Sequence, residues 1–154
     1  MSRKNVSGSF SLVYKGIPLS YNCKDARKKS AYKARLSSAF KRKYSGSIPE
    51  GDLFAIVYYF YKEDVMLDAD NISKPVWDSL SDVAYSDDRQ IKIRSAVAID
   101  ISKLNIMDFD QDNLSTGDVY DLSEGILDSD HTLYIQVGRI EDYGKIFNQH
   151  LLWQ

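Results

Sequence analysis

The chain has 154 residues, 44% of them hydrophobic and 27% charged, the balance of a soluble domain able to bury about two-thirds of its unfolded surface. Its longest apolar run, LFAIVYYFY (Leu53 to Tyr61), is nine residues long, far short of the roughly 20 a helix needs to cross a bilayer. The one cysteine, Cys23, excludes an internal disulfide and a cysteine zinc site, and MSRKNVSGSF carries no apolar signal-type stretch, so a cytoplasmic protein is expected.

The net charge of −2 conceals a strong polarity. Residues 1–45 carry twelve Lys or Arg against one acid, Asp25 (+11), and the remainder carries eight against 21 (−13). That asymmetry suggests a basic surface for an anionic partner beside an acidic region able to hold cations.

In chain order, SFSLVYK (Ser9 to Lys15) has strand composition, and GIPLSYN then breaks it with Gly16 and Pro18. Lys24 to Tyr44 reads as a helix: Tyr32, Leu36, Phe40 and Tyr44 recur every four residues, and Ala26, Ala31, Ala34 and Ala39 are good helix formers. SGSIPEGD interrupts the chain before Leu53 to Tyr61, which reads as a buried strand. Asn71 to about Tyr85 forms a second helix, with Ile72, Val76, Leu80, Val83 and Trp77 inward, and Pro75 belongs in its first turn. Gln90 to Ile101 and His131 to Ile140 alternate as strands, and Lys145 to Trp153 reads as a closing helix. Between them, Ser102 to Asp130 is acidic and lacks clear periodicity, so an excursion from the core at about 102–130 is expected. The sum is one α+β domain over residues 1–154, in the order β-α-β-α-β-β-α, with helices packed against a small mixed sheet.

LDADNISKP (Leu67 to Pro75) concentrates the chemistry. In an extended segment, Asp68 and Asp70 present their carboxylates on one face, and Mg²⁺ takes such hard oxygen ligands together with water and phosphate. Asp70 also lies near a helix N-terminus, which favours anions, and Lys74 follows one turn later. Asp87 and Asp88 reach the same site only if the next strand runs back beside the one ending near Tyr61. The same residues also read without a metal: Asp70, Lys74, Asp78 and Asp82 as a solvated charged stripe, an aspartate as a helix cap, and the Asp87–Asp88 pair as turn chemistry.

LDADNISKPVWDSL followed by YSDDRQI resembles the signature of the RusA-like Holliday junction resolvases, D-x-D-N-x-x-K-P-x-x-D-x-L with a downstream D-D-x-Q-I. Asp68, Asp70, Asn71, Lys74, Pro75, Asp78 and Leu80 fill the first pattern, and Asp87, Asp88, Gln90 and Ile91 the second. Pro18, Ser20 and Asn22 resemble the family's opening more faintly. The resemblance implies a small α+β homodimer that cleaves branched DNA, four-way junctions above all, with Mg²⁺ or Mn²⁺. It implies metal ligands at Asp68, Asp70 and Asp88, a catalytic lysine at Lys74, and Asn71 and Asp87 standing behind the ligands. On that reading the basic helix grips DNA phosphates through Lys24, Arg27, Lys28, Lys29, Lys33, Arg35, Lys41, Arg42 and Lys43. No membrane or small-molecule cofactor is expected. The competing readings are a nuclease for flapped or otherwise branched DNA and a non-catalytic DNA- or partner-binding module.

Other signals are weaker. DFDQDNLSTGDV (Asp108 to Val119) imitates a calcium loop but has Asn113 where glycine belongs and Val119 where a bidentate glutamate is required. His131 and His150 have no ligand spacing and read as surface or capping residues. Ser20 and Cys23 lack a triad arrangement, and Trp77 and Trp153 read as core or interface residues.

Overall fold

The computed structural model describes residues 10–44, 48–63, 66–103 and 114–143. Within them lie β1 (Phe10–Lys15), α1 (Ala26–Lys43), β2 (Leu53–Tyr61), α2 (Ala69–Leu80), β3 (Ile91–Asp100), α3 (Thr116–Asp128) and β4 (His131–Arg139). The four strands form one mixed sheet in the order β1-β4-β2-β3. β4 runs antiparallel to both its neighbours, while β2 and β3 are parallel. The fold is thus α+β, a single small domain.

The central strands explain the apolar run. Leu53 to Phe60 and His131 to Gly138 are buried at every position, because helices cover both faces of the sheet. On one face α1 and α2 pack Tyr32, Leu36, Phe40, Ile72, Val76 and Leu80 against Ala55, Val57, Leu133 and Ile135. On the other, Leu122 and Ile126 of α3 meet Phe54, Ile56, Tyr58 and Tyr134.

α3 corrects the expected order. Its thirteen residues fall inside the acidic segment read as an excursion, so the described order is β-α-β-α-β-α-β. The helical pattern is broken by Asp118, a carboxylate on the inward face, and by Gly125. Both have packing reasons. Asp118 is paired internally, and at Gly125 a Cβ would come 2.9 Å from Cγ2 of Thr132, so only glycine lets the helix lie this close to β4. The expected closing helix at 145–153, with His150 and Trp153, and the Asp108–Asn113 part of the calcium-like loop lie outside the described residues.

α2 also departs from its expected bounds. It ends at Leu80, and Asp82 adopts φ 64° in the turn that follows. Pro75 sits in its second turn rather than its first.

Candidate active site

α2 is the crossover between parallel strands, and this decides where the acids stand. Its N-terminus follows the end of β2, and its C-terminus precedes the start of β3, whose Ile91 pairs with Leu53 at the beginning of β2. Asp68 caps the N-terminus with extended backbone, its Oδ1 accepting the Asn71 amide at 3.2 Å. The capping reading of that aspartate therefore holds, and its second oxygen is left over. Asp70, in the first turn, is exposed, and its carboxylate makes no hydrogen bond or ion pair with a described residue.

Lys74 points up the helix. Its Nζ donates to Asp78 at 3.0 and 3.1 Å and lies 5.8 Å from the centre of the Tyr21 ring. The backbone beneath it is unusual. Pro75 has no N–H to give the carbonyl of Asn71 four residues earlier. That carbonyl instead accepts the Tyr21 amide at 2.8 Å, and Asn22 Nδ2 donates to Asn71 Oδ1 at 3.3 Å. The helix continues through Pro75 because the opening loop fills the missing bond. Sequence reasoning missed Tyr21, and the signal that marks it is Pro75 read together with the question of who satisfies Asn71.

Asp87 and Asp88 stand at the other end of α2. Asp87 caps a short 3-10 turn, Asp88–Gln90, in a reciprocal box with Gln90. The Arg89 guanidinium grips Asp87 at 3.1 and 2.7 Å and, with the Arg89 amide, holds the Asp87 carboxyl down at about 2. Gln90 Nε2 ties the turn to the carbonyls of Pro49 and Gly51 ahead of β2. Asp88 faces the hydroxyl of Tyr85, whose pKa is raised by burial first and by the charge of Asp88 next. That hydroxyl donates to the carbonyl of Trp77, so Asp88 lies by the last turn of α2. At ~1.5 Å per residue, Trp77 is about 10 Å along the axis from Asp70.

One chain therefore gathers Asp68 and Asp70 at one end of α2 and presents Asp88 at the other. Among the described residues no three His, Cys, Asp or Glu side chains lie close enough together to hold a metal ion. The helix begins at Ala69, so Asp68 as its cap and Asp70 in its first turn do not share the extended face expected from the sequence. They are the carboxylates that this end of α2 offers a hard cation that keeps its waters and shares a phosphate.

α1 packs alongside α2. Asp25 caps it through the amides of Arg27 and Lys28, and its first turn then carries Arg27, Lys28 and Lys29 with no acid, cations where the helix dipole disfavours them. With Lys24, Lys33, Arg35, Lys41 and Arg42 they form an exposed basic face. Arg35 donates to the Tyr14 hydroxyl at 3.1 Å, while Arg27, Lys28, Lys29, Lys33, Lys41 and Arg42 make no ion pair with a described residue. Lys43 is a correction to the phosphate-binding set. It turns inward to Asp118 Oδ1 at 3.1 Å, with its side chain only 22% exposed. His131 is a second correction, being buried with its Nδ1 2.7 Å from the Tyr59 hydroxyl. Trp77 is buried in the core, as expected.

An acidic helix N-terminus carrying a lysine, flanked by a basic helix, suits chemistry on a polyanion. A family model for the endodeoxyribonuclease RusA matches residues 20–106, more than half the chain. The chain belongs to the RusA endodeoxyribonuclease family. The match runs from the opening loop to just past β3 and contains every aspartate discussed above for the site, Lys74 and the whole of α1, while β1, α3 and β4 fall outside it. No curated protein matches the sequence. Among the described residues no helix is long and apolar enough to cross a membrane.

Proposed function

We propose that this protein is a divalent-metal-dependent endonuclease of branched DNA, with the four-way junction as its substrate. The observation that carries the reading is the Asp70 carboxylate, exposed and uncommitted beside Asp68 at the N-terminus of α2, with Lys74 on the same helix and the basic face of α1 alongside. Asp68 and Asp70 would hold Mg²⁺ or Mn²⁺, which supplies Lewis-acid polarisation of the phosphodiester and a water acidic enough to attack near neutral pH. Lys74 places positive charge where a phosphate would build up negative charge. Asp87, engaged by Arg89, serves to hold the turn that presents Asp88.

Asp88 belongs to the far end of α2, so on this reading a second copy would bring its Asp88 to the Asp68 and Asp70 of the first. A two-fold homodimer that sets the N-terminus of one α2 against the 3-10 turn of its partner completes two such sites, which suits paired nicks in a two-fold symmetric junction.

The test is cleavage of an end-labelled four-way junction with Mg²⁺, Mn²⁺, Ca²⁺ or EDTA, run beside a flap and a linear duplex. Paired symmetric nicks that need Mg²⁺ or Mn²⁺ are expected. Preferential cutting of the flap would move the substrate to other branched DNA, and binding without nicks in every metal would leave a DNA-binding module.

A further inference from the structure

We infer that Tyr21 is a positioning residue for Lys74, set in place by the gap that Pro75 leaves in α2. The inference rests on the nuclease reading of Lys74 given above.

The opening loop is anchored on the first turn of α2. The Tyr21 amide takes the Asn71 carbonyl that Pro75 cannot satisfy, and Asn22 bonds the Asn71 side chain. The turn itself is closed by Asn22 N to Ser20 Oγ at 3.2 Å and Cys23 N to Ser20 O at 3.0 Å. With the backbone fixed on both sides, the Tyr21 ring stands beside the Lys74 ammonium and remains 52% exposed.

Lys74 has two partners. Asp78 draws its ammonium toward the C-terminal end of the helix, away from Asp68 and Asp70. The Tyr21 backbone is anchored on the Asn71 carbonyl, seven residues before Asp78. Its ring lies 5.8 Å from the same ammonium that Asp78 binds, a second hold on the lysine from the loop side. The two partners differ in kind. A carboxylate neutralises an ammonium and repels a phosphate, whereas an aromatic face attracts the ammonium and leaves its full charge available. Tyr21 therefore orients Lys74 without competing with the nucleic acid for it.

The experiment uses the full chain as wild type, Tyr21→Phe, Tyr21→Leu and Pro75→Ala. It measures single-turnover cleavage of a labelled four-way junction in Mg²⁺, junction affinity in Ca²⁺, and the proton shifts of the Lys74 ε-methylene by NMR. Phenylalanine keeps the aromatic face, so Tyr21→Phe is expected to match wild type in all three. Tyr21→Leu is expected to cut about two- to five-fold more slowly, with affinity unchanged and the upfield ring-current shift of the Lys74 methylene lost. Pro75→Ala returns an amide to Asn71, releases the loop, and is expected to reduce rate and shift together. A wild type that cuts nothing would sink the nuclease reading. A cutting wild type whose Tyr21→Leu variant keeps its rate, or loses affinity instead of rate, would overturn the role assigned to Tyr21, the second outcome marking it as a base-stacking residue.

Discussion

The ammonium of Lys43 and the carboxylate of Asp118 meet at 3.1 Å, joining the C-terminal end of α1 to the first turn of α3. Ser11 Oγ donates to the other Asp118 oxygen at 2.7 Å, and the Tyr44 hydroxyl bridges to the Ser11 backbone. The elements lie on opposite faces of the sheet, so the pair clasps them around the β1 edge. Removing the cation leaves Asp118 buried and unpaired, and Lys43→Met is expected to cost about 3 kcal/mol in urea unfolding. Adding Asp118→Leu removes the orphaned charge and should recover part of that loss.

Asp68 caps α2, and substitution can separate that role from the metal-binding one proposed for it. Asparagine caps a helix as well as aspartate does, whereas alanine does not. Asp68→Asn is expected to keep the wild-type Tm and lose junction cleavage. Asp68→Ala should lose cleavage and also about 1 kcal/mol of stability. Thermal melts beside the nicking assay check both arms.

The separation of Asp70 from Asp88 along α2 makes a prediction about mixtures. Asp70→Asn and Asp88→Asn should each be inactive alone. In the homodimer proposed above, co-refolding would give mixed dimers in which one of the two shared sites has its full set of carboxylates, and nicking should return. Continued silence of the mixture, with dimers present, would place the three carboxylates in one subunit or discard one of them.

The exposed cations of α1 should act as a salt-dependent grip. Replacing Lys28, Lys29 and Lys33 together by Gln is expected to weaken junction binding and flatten the plot of log affinity against log salt by roughly 0.9 for each phosphate that is no longer neutralised. Replacing Lys43, which faces inward, should change stability while leaving that slope alone. Fluorescence anisotropy over a range of salt concentrations measures both.

Asp87 gives a pH signature. Its folded pKa of about 2 lies below the ordinary 3.8. The stability it contributes is therefore fully present above the ordinary value and is lost as pH falls toward 2. Carboxyl NMR should find Asp87 ionised at pH 3, and Arg89→Gln should return it to the ordinary range.

Much of this architecture is legible in residue order. The Tyr32, Leu36, Phe40 spacing marks the inward stripe of α1, and LFAIVYYFY marks a strand covered on both sides. The aspartate and lysine motif marks a candidate site in the sequence because capping, charge and spacing are local. What escapes is non-local. Asp118 reads as a surface acid until Lys43, 75 residues away, is seen beside it. His131 reads as exposed until Tyr59 is placed against its ring. The parting of Asp68 and Asp70 from Asp88 follows from the parallel pairing of β2 and β3, which no local pattern states.

The sheet order has a consequence for how the chain is made. β4 is the last of the four strands in sequence and lies between β1 and β2, so Leu53 finds Arg139 across a gap of 86 residues. During synthesis the first and second strands emerge with no neighbour to pair with, and the sheet cannot close until the last one has left the ribosome. Pairing of this range makes for slow folding and leaves open strand edges in the meantime. A nascent chain stalled before His131 would hold the whole of the family-matched segment, with β2 and β3 able to pair, and yet lack the strand that joins them to β1.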